Sequence, residues 1–520
     1  MSLVKSFFTI SGLTFISRIL GFIRDILVAS ILGAGPLAEA FLVAFKLPNF
    51  FRRLFAEGAF NAAFVPLFSG IIATDGKEKA RKFAQDIFSF LFFVLLIFTI
   101  LIEIFMPFVM KGLAPGFVSD PNKFELAVYL TRATFPYLLF ISLVSLLAGV
   151  MNGMNRFAAG AAAPIILNLS LIGAILFLTD VSKTAAHALS YGVAIAGVLQ
   201  FFWMLAACKR EGMSFSIKLP KLNKKVKLFL SKMLPGIFGA GVVQINLWVD
   251  IIIGTFIPGA IAFLYYADRV NQLPLSLIGT AMGVALLPML SRQIKEKRIE
   301  DSIISQNRAL ELVLLLTLPA TAAFIAIPDV IISALFERGA FEEKDSLATA
   351  YGLVAYAIGL PAFVMVKIFS SSFFAYGDTK TPVKIAGVCM VANVIMNIGF
   401  VILLMEMDKM PHVGLAVATS ISSWLNLTLL VSILIKKKKF ELQKRTKEII
   451  SKVILSTFVM VFVLWIVKDT QGENFTSSEF DRISFLIILM VLGKISYFTC
   501  THLTGALKLG ELKRFIGKKR

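Results

Sequence analysis

The chain has little of what catalytic and metal centres are built from. Its 520 residues include only three cysteines and three histidines. Cys208, Cys389 and Cys500 show no metal-ligand spacing and no obvious pairing, so they read as small apolar fillers. His187, His412 and His502 lie far apart near segment ends, which argues against a metal site. There is no P-loop, no HExxH and no DxD-type acidic pair on an outer loop. Those gaps argue against ATP-driven export and against a membrane glycosyltransferase. The chain reads as a non-enzyme that needs no bound cofactor.

Charge is scarce as well. Only 16% of residues are charged against 58% hydrophobic, and the mean hydropathy is +0.83. No soluble domain of this length is so apolar. The charges cluster between apolar runs of about 20 residues, the length that crosses a bilayer. A transmembrane barrel would instead show alternating segments of about 10 residues. The expectation is an all-α polytopic membrane protein with fourteen transmembrane helices, near 7–33, 37–70, 84–110, 126–152, 158–179, 185–207, 228–256, 259–291, 308–336, 346–376, 381–406, 412–435, 448–467 and 482–506. One lysine and no small-residue cleavage site mark the first as a retained helix, not a signal peptide.

Basic and acidic loops alternate along the chain. Lys77–Lys82, Arg156, Lys209–Lys227, Arg292–Arg298 and Lys436–Lys447 fall on one side, and Asp120, Glu337–Asp345, Glu406 and Asp469–Asp481 on the other. Lysine and arginine stay on the cytoplasmic side, so both termini are expected inside. This bias accounts for most of the +20 net charge without nucleic acid.

The chain also repeats itself. Ala38–Ser69 aligns without a gap on Ala260–Ser291 at a shift of 222, matching Ala38/Ala260, Phe41/Phe263, Leu42/Leu264, Asn49/Asn271, Pro66/Pro288 and Ser69/Ser291. Apolar helices share letters cheaply, but the aligned segments are the second and the eighth. The pattern suggests two six-helix halves around a central cationic cavity. The expected divisions are a half at 1–207, a basic cytoplasmic linker at 208–227, a second half at 228–436, and an appendage of two helices with a basic tail at 437–520. The chain is expected to act as a monomer.

Charges inside the apolar segments are the candidate site. Arg18, Arg24 and Asp25 lie on the first segment, and Glu39, Lys46, Arg52, Arg53 and Glu57 on the second. Each costs roughly 2.5–3.5 kcal/mol at membrane depth unless it faces protein or water. Mutual pairing is the bland reading, and it suits Arg53 with Glu57 as i,i+4 neighbours. It fails for the set, because five cations face three carboxylates. Pro48-Asn49 is expected to kink the second segment. In the other half, Arg269 follows Tyr265-Tyr266-Ala267-Asp268, with Asp268 as its partner or its positioner, and Lys367 lies in the tenth segment, where snorkelling to an interface is the bland reading. Planar guanidinium groups from both halves suit phosphate oxygens better than lysine does.

A second set has hard oxygen ligands: Asp250, Asn393, Asn397 and Thr419. It suggests Na⁺ or proton coupling, with interhelical hydrogen bonding as the bland reading.

The stretches SRILGFIRD (17–25), FKLPNFFRRLFAEGAFNAAFVP (45–66), YYADR (265–269) and DTKTPVKI (378–385) resemble the MurJ (MviN) family of lipid II flippases, within the multidrug/oligosaccharidyl-lipid/polysaccharide exporter superfamily. The resemblance implies flipping of undecaprenyl-diphosphate-linked peptidoglycan precursor across a bacterial inner membrane, with lipid II and membrane lipids as partners. Outward movement of a dianion is downhill across an inside-negative membrane, so the membrane potential is the expected drive. It implies cavity arginines at Arg18, Arg24, Arg52 and Arg269, and acidic partners at Glu57 and Glu39, where the family usually has aspartate. It also implies a lipid-tail groove on the last two helices. Rival readings are an exporter of another lipid-linked oligosaccharide, a drug/cation antiporter, or an enzyme acting on lipid-linked sugars.

Overall fold

In this computed structural model the structure describes residues 3–55, 59–471 and 478–507. Among them there is no strand; every regular element is helical. The chain divides into two compact units, Met1–Ala262 and Phe263–Arg520.

The first unit holds α1 (Leu3–Leu32), α2 (Pro36–Phe55), α3 (Ala59–Ile104), α4 (Met106–Leu113), α5 (Pro121–Thr134), α6 (Tyr137–Gly153), α7 (Ala158–Phe177), α8 (Ala185–Arg210) and α9 (Lys224–Gly254). Here α1 packs on α7, α7 and α6 on α8, α2 on α5, and α9 on α3. Its aromatic core is a stack of Phe60, Phe64 and Phe68 on α3, with Phe229 of α9 edge-on at 5.3 Å from Phe60. Thr255, after α9, meets a short 3-10 turn at Pro115–Ser119, where Gly116 N–H donates to its Oγ1 at 3.1 Å. A Cβ on Gly116 would stand 2.4 Å from the Thr255 carbonyl, so only glycine fits.

The second unit holds most of α10 (Ala260–Lys295), then α11 (Ile299–Ala326), α12 (Pro328–Phe336), α13 (Glu343–Ala375), α14 (Lys380–Glu406), α15 (His412–Lys436), α16 (Lys444–Gln471) and α17 (Glu479–Leu503). Its core joins Val313, Leu360, Phe369, Leu430 and Phe440. Gln306 and Asn307 of α11 bond the Lys439 and Glu441 carbonyls, which fixes the loop leading into α16. α16 then packs on α11, and α17 on α16 and α12.

Ten helical stretches among the described residues are long and apolar enough to cross a membrane. α2 falls short because Glu39, Lys46, Arg52 and Arg53 crowd its 20 residues. The segment expected at 126–152 is one span in which α5 runs on into α6 through Phe135 and Pro136, both helical in backbone, while the one expected at 308–336 is two helices, broken before Pro328. Hydrophobic periodicity carries through such breaks, while proline removes the N–H that the turn needs. α3 is itself interrupted at Gly76, whose φ of 81° only glycine adopts freely. Cys208 and Cys389 are buried, Cys500 is half-buried, and all three are free, as fillers should be.

Candidate functional site

The charges of α1 are anchored from α7. Arg24 is 5% exposed and Asp25 2%. Arg24 Nε and Nη2 donate to Asp25 Oδ1 at 3.1 and 2.6 Å, and Nη1 donates to Asn168 Oδ1 at 2.9 Å. Asn168 Nδ2 in turn donates to the Ser17 carbonyl at 2.8 Å. Phe45 of α2 presents its ring 5.9 Å from the guanidinium. Asp25 therefore has its sequence neighbour as partner, although the two leave the helix about 100° apart. Arg18 lies on the exposed side of α1.

Glu39 is 1% exposed in the first turn of α2. Its Oε2 accepts from Lys123 Nζ at 2.5 Å, and its Oε1 from the Ile261 backbone N–H at 3.3 Å. Asp120 caps α5 and Pro121 opens it, which sets Lys123 in the first turn. The ammonium also stands 4.0 Å over the Phe117 ring. Ile261 and Glu39 are mates of the internal repeat, 222 residues apart. Ile261 opens α10, so the carboxylate meets a helix N-terminus, where negative charge is favoured.

α2 runs on through Pro48. Proline cannot donate to the Ala44 carbonyl, and Thr134 Oγ1 takes that place at 2.9 Å. Asn49 Nδ2 bonds the Phe45 carbonyl at 2.8 Å, and its Oδ1 accepts Arg52 Nε at 3.2 Å. The Pro48-Asn49 pair thus orients Arg52 without breaking the helix. Lys46 and Arg52 are half-buried and Arg53 is exposed. Glu57 lies outside the described residues, and the expected Arg53–Glu57 pair with it.

In the second unit Arg269 rests on Tyr265. Nε and Nη2 donate to the phenol oxygen at 3.3 and 3.1 Å, and the guanidinium lies 5.1 Å from the ring centre. Tyr266 faces the other way, buried against Phe336 and Phe341 at 5.2 and 5.3 Å. Asp268 accepts from Gln272. Lys367 lies on an exposed face of α13, with its Nζ 2.9 Å from where a Cβ on Gly279 would be.

The residues of the Na⁺ expectation divide. Asn393 and Asn397 are fully buried on α14, with Asn397 Nδ2 donating to Asn393 Oδ1 at 3.1 Å. Asn393 Nδ2 has no acceptor. Turning the Asn393 amide over would set its Nδ2 against Asn397 Nδ2, so the pair is joined by its own hydrogen bond as it stands. Thr419 Oγ1 donates to the Leu415 carbonyl and keeps its lone pairs. Asp250 stands half-buried on α9, in the other compact unit. Among the described residues no three His, Cys, Asp or Glu side chains cluster as metal ligands.

Two residues that organise the site lay outside the sequence reading: Asn168 and Lys123. Each left a trace. Asn168 is a lone amide in the apolar run 158–177, and Lys123 is a cation in a loop otherwise expected to be acidic.

The comparisons decide the family. A family model described as "Lipid II flippase MurJ" matches residues 28–490. The chain belongs to the MurJ lipid II flippase family. A MurJ relative from Rhizobium tropici, named a probable lipid II flippase, is 38% identical, covering 100% of this chain and 98% of its own. One from Rickettsia prowazekii, named likewise, is 38% identical over 97% and 98% of the two chains. A solved structure titled lipid II flippase MurJ in an inward closed conformation superimposes with a TM-score of 0.78 at 29% identity, covering 95% of this chain and 98% of that one. An inward-facing multidrug resistance MATE transporter has a TM-score of 0.64 at 16% identity over 81% and 96%, which shows a shared fold alone.

Proposed function

We propose that the chain flips lipid II, the undecaprenyl-diphosphate-linked peptidoglycan precursor, from the cytoplasmic to the periplasmic leaflet of a bacterial inner membrane by alternating access. The observation that carries this reading is Arg24, a guanidinium fixed inside an apolar helix in a chain whose full-length relatives are named for a diphosphate lipid.

Arg18, Arg24, Arg52 and Arg269 hold the diphosphate. Each planar fork offers paired donors to phosphate oxygens. Asp25 and the diphosphate compete for one guanidinium. When the substrate leaves, Asp25 and Asn168 take Arg24 back, so the empty site never strands a buried charge. Asn49 and Tyr265 hold Arg52 and Arg269 through neutral oxygens. The prenyl tail stays in lipid along α16 and α17, where Phe458, Phe462, Trp465 and Val491 are exposed. Moving a dianion outward across an inside-negative membrane is downhill by roughly 2.3 kcal/mol per charge per 100 mV, so turnover needs no ATP. Na⁺ or a proton resets the carrier, with Asp250 in one unit and Asn393, Asn397 and Thr419 in the other as the candidate ligands.

The test is complementation in cells depleted of their own flippase. Arg18→Ala, Arg24→Ala and Arg269→Ala should each fail to support growth at normal protein level. Growth with all three would overturn the proposal.

A further inference from the structure

A second anion site is built where the chain between α8 and α9 crosses α3. Residues 213–223 have no regular structure, yet they and the first turn of α9 are tied down at three points. Gln85, 9% exposed, holds Ser216 from both ends: Nε2 donates to its carbonyl at 2.5 Å and Oε1 accepts its N–H at 2.9 Å. Asn223 Nδ2 donates to Asp86 at 2.6 Å, and Lys225 Nζ to Asp75 at 3.4 Å. Under this strap lies a cavity of about 270 Å³, lined by Arg81, Lys82, Lys218, Ser214, Ser216 and Glu78 among others.

The lining is cationic. Glu78 accepts from Arg81 Nε and Nη2 at 3.2 and 2.5 Å, and Ser214 from Nη1 at 3.4 Å. Among the described residues, Lys82 and Lys218 have no carboxylate within ion-pair distance. A guanidinium fork, two ammonium groups and serine hydroxyls form a donor set for phosphate oxygens. The volume lies below the roughly 300–1,000 Å³ of drug-sized pockets, which suits a headgroup.

The surroundings select the source. Ile217, Leu219 and Leu222 on the strap are 60%, 79% and 58% exposed, interleaved with Lys218, Lys221 and Lys224. Basic residues alternating with exposed aliphatic ones mark a surface that sits on an anionic leaflet. Further along α3, Val94, Ile97 and Leu101 are exposed. Val94 is nine residues beyond Gln85, about 14 Å along the helix, so the cavity sits at headgroup depth.

We propose that this cavity binds the phosphodiester headgroup of an anionic phospholipid in the leaflet facing the basic loops, with Ile217 and Leu219 among its acyl chains. The site is separate from the arginines that take the transported lipid. The test is native mass spectrometry of the purified full chain in detergent, titrated with phosphatidylglycerol or phosphatidylethanolamine. Phosphatidylglycerol should bind at one preferred site, and R81Q/K82Q/K218Q should weaken it by about tenfold or more. K436Q/K438Q, which removes as exposed a basic pair elsewhere, should leave it unchanged. E78Q, which removes the one carboxylate without touching a cation, should tighten it severalfold. Soluble glycerol phosphate should not compete. Equal phosphatidylglycerol binding by the triple variant, weaker binding by E78Q, or competition by soluble glycerol phosphate at the lipid's own affinity would overturn the proposal.

Discussion

α2 and α10 share the letters of the internal repeat, yet they support charge in opposite ways. α2 is held by ions. Glu39 is closed off from solvent by Lys123, and Arg24 beside Phe45 is closed off by Asp25. α10 is held by rings. Tyr266 anchors it in an aromatic cluster, and Tyr265 supports Arg269 through a phenol and a ring face. A guanidinium balanced by a carboxylate must exchange partners when an anionic substrate arrives. The Tyr265 phenol carries no charge and need not be displaced itself. The repeat thus copied a backbone path and left each unit its own electrostatics.

The largest expected effect is on the ionic side. Lys123→Ala leaves Glu39 buried without its cation, at a cost of about 3–5 kcal/mol. The loss should appear as a large drop in the thermal midpoint in detergent. Glu39→Gln combined with Lys123→Met should recover most of it. A neutral Lys123→Ala would break the comparison.

On the aromatic side the effects should separate. Tyr265→Phe keeps the ring and removes the acceptor, costing about 1 kcal/mol. Transport should fall severalfold with the fold intact. Tyr266→Ala should cost about 3–5 kcal/mol and act on stability first. Equal effects of the two on stability would show that the neighbouring tyrosines do not divide the work.

Outside the membrane, acid should find a smaller difference. Hydrogen bonds from the Thr381 backbone N–H at 3.0 Å and hydroxyl at 2.8 Å, aided by Lys437 at 3.1 Å, hold the Asp378 carboxyl at a pKa of about 2. Because the folded value lies below the unfolded one of about 3.9, its stabilisation is present above about pH 4 and is lost as pH falls towards about 2. Thr381→Val should therefore raise the acid midpoint seen by tryptophan fluorescence. An unchanged midpoint would remove Asp378 from the account.

Much of the site was legible in the sequence, for one reason. A charge in an apolar helix is costly, so Arg24, Asp25, Glu39 and Arg52 announce themselves. Their partners do not. Lys123 stands 84 residues from Glu39 and Asn168 stands 144 from Arg24, and one sequence holds no record of such pairings. The helix ends were legible only in part. Pro48 sits inside an unbroken α2 because Thr134 supplies the missing donor, while before Pro328 the chain breaks. The same residue gives opposite outcomes, decided by a neighbour from elsewhere in the fold.

The account rests on Arg24 handing its guanidinium from Asp25 and Asn168 to a diphosphate. The direct measurement is translocation of fluorescent lipid II by the purified protein in vesicles, comparing the natural chain with Arg24→Lys. A single ammonium cannot span both partners, so the rate should fall by about a hundredfold with the fold intact. Translocation by Arg24→Lys at the natural rate would contradict the account.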